Sequence, residues 1–302
     1  MLLASALLAG GLLAVQASVN LQLNKAVGTP YGASTVQLGV ATAVLAVLAV
    51  AVGSTAAVAL VPHVEPWHLL GGLASPLYIT SGILLFPRLG ALATVGLFVT
   101  GQMFASFVLD LVGLLGVPRQ PFSGGAVIGA LAVLAGITVI IRAQAAGPVR
   151  RTGAGWILLG VVAGAALPVQ GAVNAALRGD LGAPIAVALV SFTVATLTIS
   201  AVLLVMRASG RTPAPRLAPL GDMPWWGWLG GLCAAAYVTA TFLLLPEIGA
   251  ATTVVLTVTG QQVASAVIDH RGSFRMPRRP LTAVRLAGLS LLVAGSLLVQ
   301  LT

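Results

Sequence analysis

The sequence predicts an all-α polytopic membrane protein with ten transmembrane helices, arranged as two inverted five-helix repeats. Three observations lead to this fold class. The chain is 58% hydrophobic and only 7% charged, whereas soluble domains carry about 25% charged residues. It contains ten apolar stretches long enough to cross a bilayer, and its second half repeats the polar and glycine positions of its first half. So few charges cannot cover a water-soluble surface, so we expect a lipid bilayer around the helices.

The internal repeat is clearest around one polar stretch. Residues 16–30 (QASVNLQLNKAVGTP) return at 170–184 as QGAVNAALRGDLGAP, at a spacing of 154. Later matches have a spacing of 159, because a five-residue insertion precedes Trp225; the tripeptide Thr-Gly-Gln at 100–102 returns at 259–261. An ordered series of matches indicates that one structural unit is present twice.

The predicted units are residues 1–148 and 149–302, and each contains five of the apolar runs. A helix needs about 20 apolar residues to span the hydrocarbon core. The gap 53–66 is apolar enough that the second helix could extend into it. Because five is odd, the second unit must enter the membrane from the opposite side, as in many secondary transporters. The runs cover about 2–23, 31–52, 67–86, 91–111, 123–142, 155–176, 184–206, 225–245, 250–268 and 282–301.

The basic residues predict the orientation of the chain. Of the fifteen Lys and Arg residues, all except Arg119 and Arg178 fall in or beside one set of loops. The positive-inside rule places that set in the cytoplasm and both termini outside. Topology accounts for the basic charge, so we expect no nucleic-acid partner. The first run lacks the basic start of a signal peptide, and we interpret it as a retained helix.

Gln102 and Gln261 are candidates for a substrate-binding site. They are repeat-matched and lie near the middle of their runs, where inverted repeats place their substrate site. Tyr78 and Tyr237 are also repeat-matched and could line the same cavity. The alternative is structural: amides in membrane helices often only hydrogen-bond to neighbouring helices, for about 0.6 kcal/mol, and the tyrosines could serve interior packing.

Gln16, Asn20, Gln170 and Asn174 form a second candidate set for substrate binding. The members of each pair are four residues apart, so they share one helix face. By the predicted topology the first pair lies toward the cytoplasm and the second toward the outside, as alternating gates would. A structural role is the favoured alternative here, because polar groups near a helix end can satisfy loop backbone.

Asp110 and Asp269 are candidates for proton coupling. They are repeat-matched and border the apolar runs, and a carboxylate in an apolar setting can take up protons near neutrality. However, both lie at helix ends, where water would screen them. Asp269 also precedes His270 and Arg271, a sequence that indicates a solvated ion pair.

The sequence shows no sign of an enzyme. It has no HExxH, GxSxG or Walker A motif, so we name no catalytic residue. His63 and His68 lie five residues apart near one loop, which is weak evidence for a metal site. We therefore expect no metal and no cofactor.

The repeated Gln-x-x-Val-Asn, followed by Gly-x-Pro, in five-helix units resembles the YdcZ-type branch of the drug/metabolite transporter (DMT) superfamily. The resemblance covers essentially the whole chain, which looks like a fused pair of units that some members carry singly. It implies a secondary carrier in the bacterial plasma (inner) membrane that exports a small metabolite or drug-like solute by alternating access.

One departure from the superfamily bears on the substrate. Its small multidrug members carry a central glutamate in the first helix, whereas this sequence has Gln16 and Asn20 there. That difference argues against proton-coupled export of hydrophobic cations. A neutral amide lining suits a polar neutral or zwitterionic solute, or one whose charge is met by Arg178 or Lys25.

Two other functions remain open from the sequence. A flippase for a lipid or lipid-linked sugar could use the same scaffold, with the cytoplasmic arginines binding a head group. A non-transporting membrane scaffold or assembly protein would use the polar stripes only to hold helices together. The sequence predicts neither the substrate, nor the coupling ion, nor the oligomeric state.

Overall fold

The computed structural model describes residues 1–117, 119, 123–145, 153–248 and 250–301. Regular secondary structure within these residues is helical, which confirms the all-α prediction for them. Short 3₁₀ segments, Pro66–Leu73 and Trp225–Trp228, lead into α4 and α8. The helices are α1 Leu2–Val27, α2 Pro30–Ala51, α3 Thr55–Val58, α4 Ala74–Val112, α5 Gly124–Ala145, α6 Ala154–Leu181, α7 Pro184–Ala208, α8 Leu229–Ile248, α9 Ala250–Arg271 and α10 Ala283–Leu301.

The repeated Gly-x-Pro motif makes the sharp turn after α1 and again after α6. Gly28 (φ 82°) and Gly182 (φ 63°) adopt the left-handed conformation that ends each helix. Two residues later, Pro30 and Pro184 start α2 and α7. Proline suits this first position because its fixed φ is helical and its missing N–H needs no partner there.

Two glycines decide where the next helices break. Gly53, with φ 71°, follows the end of α2 at Ala51, so the expectation that this helix runs into 53–66 is wrong. Gly90 interrupts α4 with φ 78° and ψ 172°. The break divides α4 into segments 74–89 and 91–112, in agreement with the two separate apolar runs of the sequence.

Several helices have the length and composition of membrane spans. Pro66–Leu109 is 44 residues long, about 66 Å as a helix and twice the thickness of the hydrocarbon core. Large apolar side chains such as Leu8, Val47 and Leu204 lie exposed on the surface, as expected where lipid replaces water. Within the described residues six stretches qualify as spans by length and composition: Leu2–Val27, Pro30–Ala51, Pro66–Leu109, Gly124–Ala143, Ala154–Leu181 and Pro184–Ala208.

Several helices of the first half (1–145) pack against helices of the second half (153–301). Helix α1 packs on α8 and α9 of the second half, and its repeat counterpart α6 packs on α4 of the first half. Helix α2 pairs with its counterpart α7, and α5 with its counterpart α10. The contact of α1 with the second half therefore has a counterpart in the contact of α6 with the first half, and the α2–α7 and α5–α10 pairs each join an element to its own counterpart.

The same reciprocity holds at atomic detail. A side chain on Gly71 would overlap Oδ1 of Asn174, and a side chain on its counterpart Gly230 would overlap Oδ1 of Asn20. Only glycine leaves room for the asparagine at either position. The repeated Gly and Asn positions of the sequence are thus explained by one close helix contact that is used twice.

The α5–α10 pair is held by a second set of glycines. An added Cβ at Gly129 would lie 2.7 Å from the carbonyl oxygen of Gly295, and one at Gly136 would lie 2.6 Å from that of Gly288. Glycine at these positions lets the two backbones approach closely, as small residues do in membrane helices. Gly129 and Gly136 of α5 thus serve packing within the chain.

Candidate functional site

A cavity of about 380 Å³ lies between the two halves. Its volume falls in the range of about 300–1,000 Å³ typical of small-molecule sites. Apolar side chains form most of the wall, and amides, hydroxyls and one guanidinium interrupt it. The lining residues are Leu13, Gln16, Ser75, Tyr78, Ile79, Gln102, Met103, Ser106, Leu167, Pro168, Gln170, Gly171, Asn174, Ala175, Arg178, Ala188, Ser191, Phe192, Ala234, Tyr237, Val238, Thr241, Thr253, Val254, Thr257, Val258 and Gln261.

The structure brings most of the polar residues singled out in the sequence to this cavity. Asn20 does not line it; its side chain is 1% exposed and packs against Gly230. The candidates that do line it are Gln16, Tyr78, Gln102, Gln170, Asn174, Tyr237 and Gln261.

The two matched glutamines of α4 and α9 have different surroundings. Gln261 Nε2 donates a hydrogen bond of 2.8 Å to the hydroxyl of Tyr78, whose ring packs 4.5 Å from that of Phe98. Gln102 Nε2 is buried without a hydrogen-bond partner among the described residues. An unpaired buried amide donor costs about 1–3 kcal/mol, which a bound solute could recover.

Gln16 supplies the complementary group. Its side chain is 4% exposed, and its Oε1 is buried without a partner among the described residues. Its counterpart Gln170 is satisfied, because its Nε2 donates to Ser75 Oγ at 2.8 Å and to Ser191 Oγ at 3.4 Å. Two residues of the cavity wall thus carry a buried amide atom without a partner among the described residues, the donor Nε2 of Gln102 and the acceptor Oε1 of Gln16.

The cavity extends toward the C-terminal end of α6, whereas on α1 its lining stops at Gln16. Gly171 and Ala175 of α6 line it, whereas their counterparts Ala17 and Leu21 of α1 are only 8% and 6% exposed. The lining continues to Arg178 in the last turn of α6. Two helices with the same polar pattern therefore have different environments, one open and one closed.

The segment between α7 and α8 covers the closed end of α1. Thr212 and Thr29 share a hydrogen bond of 2.7 Å between their hydroxyls. The N–H of Arg216 donates to the carbonyl oxygen of Val27 at 2.9 Å, and its Nη2 donates to that of Lys25 at 3.2 Å. These bonds tie residues 212–216 to the α1–α2 turn; we call this segment the strap.

Asp269 lies away from the cavity and is not solvated. Its side chain is fully buried and forms a 2.8 Å ion pair with Arg285 rather than with His270 or Arg271. It also accepts the N–H of Ala91 at 2.7 Å, in the first turn after the break in α4. The expectation of a solvated ion pair is wrong, because the chain reversal after α9 brings α10 and its arginine against Asp269.

The remaining candidates from the sequence are Asp110, for proton coupling, and the loop histidines His63 and His68. The backbone of Asp110 belongs to α4, but its side chain lies outside the described part of the structure. His68 pairs through Nδ1 with Asp180 Oδ2 near the end of α6, and His63 is exposed. Within the described residues no cluster of three His, Cys, Asp or Glu could hold a metal ion.

Sequence reasoning missed several polar groups, among them two serines of the cavity wall and one arginine away from it. Ser75 and Ser191 bind Gln170, but serine is too common in helices to be singled out. Arg285 was interpreted only as a topology signal. A charge inside an apolar run needs a partner, and that rule could have pointed to the Asp269–Arg285 pair.

Apolar helices of membrane-spanning length around a cavity that carries amide and hydroxyl groups are typical of a membrane transporter. Comparison with known families agrees. The family model DMT_YdcZ, described as "Putative inner membrane exporter, YdcZ", matches residues 1–139 and 155–298. The chain therefore belongs to this family, which confirms the resemblance drawn from the repeated motif.

Comparison with solved structures supports the fold. A structure described only as "Crystal structure of protein" matches with a TM-score of 0.59 and 21% sequence identity. The match covers 98% of this chain and 96% of that chain, so the fold extends over the full length of both. A search of the curated proteins found no match.

Proposed function

We propose that this protein is a secondary carrier that exports a small solute by alternating access. In this proposal its ten transmembrane helices form two inverted units, residues 1–148 and 149–302. The boundary between the units lies outside the described residues, but the family matches fall on either side of it. The reciprocal packing of α1 on α8 and α9 and of α6 on α4 supports a two-fold relation.

The unequal burial of α1 and α6 carries the proposal. The cavity reaches Arg178 along α6, while the matching residues of α1 are closed under the strap. If the halves exchange their conformations, Asn20 and Asn24 of α1 take the positions of Asn174 and Arg178. The cavity then opens at the opposite end, as alternating access requires.

The sidedness follows from the charge distribution. Lys25 and Arg216 lie at the closed end of α1, in the loops that the positive-inside rule assigns to the cytoplasm. The described conformation is then outward-open, with both termini outside. Two basic residues of that assignment, Arg150 and Arg151, lie outside the described residues.

The substrate contacts in this proposal come from the cavity wall. Gln102 and Gln16 offer their free donor and acceptor, Tyr78, Gln261 and the other matched residues shape the pocket, and Asn20 would join in the inward-open state. Asp269 has a structural role in this account, because Arg285 and the N–H groups of α4 already use its carboxylate. Proton coupling through Asp110 or Asp269 stays an untested prediction.

A thermal-shift screen with two matched variants tests the proposal. The purified protein is screened against neutral, anionic, cationic and lipid-like compounds; a ligand at a hundredfold excess over Kd adds about 2.7 kcal/mol to apparent stability. We expect Gln102→Ala to abolish the stabilisation by ligand while it keeps the baseline stability, because its Nε2 has no partner to lose among the described residues. Gln261→Ala serves as the contrast and should lower the baseline stability, because it breaks the bond to Tyr78.

The other functions make different predictions in the same screen. A scaffold gives no ligand hit, and both variants only reduce stability. A flippase responds to lipids or lipid-linked sugars and not to water-soluble solutes. Either outcome would contradict the carrier of a small solute.

A further inference from the structure

We propose that Arg178 makes the cavity an anion site, so that the transported solute carries a carboxylate, phosphate or similar negative group. The inference rests on the proposed function and specifies its substrate class. Among the described side chains that line the cavity, Arg178 is the one with a formal charge. The rest of the wall is apolar or consists of neutral amides and hydroxyls.

The charge of Arg178 is not neutralised by a neighbouring carboxylate. The ion pairs among the described residues are His68–Asp180 and Asp269–Arg285, and neither includes Arg178. Asp180 lies two residues further along α6, and His68 holds its carboxylate. An arginine without such a counter-ion at the edge of a cavity is suited to bind carboxylate or phosphate in a bidentate manner.

The remaining groups define the body of the solute. Gln16 Oε1 needs a hydrogen-bond donor, and Gln102 Nε2 needs an acceptor. Other side chains of the cavity wall, such as those of Leu167 and Phe192, are apolar. A small organic anion with an apolar part and one amide-like or hydroxyl group satisfies all of these contacts. No carboxylate among the described lining residues is present to bind an ammonium group.

The membrane potential fits this substrate class. With the cytoplasm negative, export of a solute with one negative charge is favoured by a concentration ratio of about fiftyfold per 100 mV. Such a solute leaves the cell without a coupled proton. Export of such an anion therefore needs no proton-binding carboxylate in the cavity. A transporter of cations would require one.

Charged thiol reagents of similar size test the charge preference directly. In a Cys233→Ala background, Ala175→Cys places a thiol on the cavity wall, one helical turn from Arg178. We compare its rates of modification by 2-sulfonatoethyl methanethiosulfonate, which is anionic, and by the 2-(trimethylammonio)ethyl reagent, which is cationic. A unit charge at about 7 Å in water raises the rate for a reagent of opposite charge about 2.7-fold and lowers the rate for a reagent of like charge by the same factor. Removing that charge therefore changes the ratio of the two rates about sevenfold.

We expect Arg178→Gln to lower the ratio of anionic to cationic modification by about sevenfold. Arg178→Lys should keep the ratio, because it keeps the charge. Arg119→Gln is the matched control; this arginine is exposed, does not line the cavity, and should leave the ratio unchanged. Gel filtration of each variant verifies that it is folded.

Each remaining outcome is decisive. A ratio that Arg178→Gln leaves unchanged overturns the anion site, although equal access of both reagents still supports an open cavity. A ratio that falls as much with Arg119→Gln shows a general surface effect and also overturns it. Failure of both reagents to reach the thiol introduced at position 175 contradicts the open cavity, and with it the proposed function.

Discussion

Asp269 shows how a single carboxylate can hold three segments together. It accepts the first N–H groups of the second α4 segment and pairs with Arg285 of α10 in a fully buried position. We expect Asp269→Ala to lower the free energy of unfolding by about 3–5 kcal/mol, because it leaves a buried guanidinium without its counter-ion. Thermal or denaturant unfolding in detergent measures the effect.

The matched control for this prediction removes both charges. Asp269→Ala with Arg285→Met should recover part of the lost stability, since the guanidinium that paired with Asp269 is then also absent. A proton-coupling role makes a different prediction for Asp269→Asn, which would keep stability but shift the pH dependence of ligand binding. That pattern would contradict the structural role.

Gly71 and Gly230 offer a second test at the residue scale. We expect either Gly→Ala change to destabilise the protein by about 1–3 kcal/mol, because the new Cβ would overlap the side chain of Asn174 or Asn20. Gly39→Ala is the control: it lies inside α2 with open space around it and should raise stability by about 0.5–1 kcal/mol. Melting temperatures of the three variants measure these effects, and equal changes at all three positions would show that the contact with asparagine does not matter.

Single residues also show what the sequence could and could not predict. Polar side chains in apolar runs are rare, so the sequence was able to point to Gln102, Gln261 and their neighbours. It could not distinguish the satisfied Gln261 from the unsatisfied Gln102, because that difference depends on the helix packing that places Gln261 beside the hydroxyl of Tyr78. The partner of Asp269 was missed for a related reason: it is set by the path of the chain after α9 and not by local spacing.

At the scale of elements, α1 and α6 carry the same polar motif but have different roles in the described conformation. The strap, residues 212–216, lies against the end of α1. The corresponding end of α6 borders the cavity. The repeat in the sequence predicted both helices, but their inequality could not be predicted, since one sequence pattern serves two conformations.

The strap provides a test of gating. Thr29→Cys with Thr212→Cys, in the Cys233→Ala background, should form a disulfide on oxidation, because the two hydroxyls are 2.7 Å apart. On our proposal the disulfide blocks the cytoplasmic opening. The oxidised protein should keep its stabilisation by ligand but lose transport in proteoliposomes, and reduction should restore transport.

The single cysteine variants, Thr29→Cys and Thr212→Cys, are the controls and should not respond to the oxidant. If the cross-linked protein transports as fast as the reduced one, the strap is not a gate. Mass spectrometry after alkylation measures the extent of cross-linking, so incomplete oxidation can be separated from a true lack of effect.

At the scale of the whole molecule, two kinds of observation agree. The family model matches each half of the chain separately, and two contacts between the halves, α1 on the second half and α6 on the first, and Asn20–Gly230 and Asn174–Gly71, occur with exchanged partners. Composition and periodicity were sufficient to predict the helical membrane fold. The central cavity requires the packed arrangement, because its lining comes from α1, α4, α6, α7, α8 and α9 together.

Cysteine accessibility of one repeat-matched pair tests the central claim most directly. Gly171→Cys lies on the open wall of the cavity, and Ala17→Cys is its counterpart on the closed side of α1. Each is made in the Cys233→Ala background and treated, in the membrane, with an impermeant thiol reagent from either face. Alternating access by inverted halves predicts that the thiol at position 171 reacts from the outside and the thiol at position 17 from the cytoplasm. Reaction of both thiols from the same face, or of neither from any face, would contradict it.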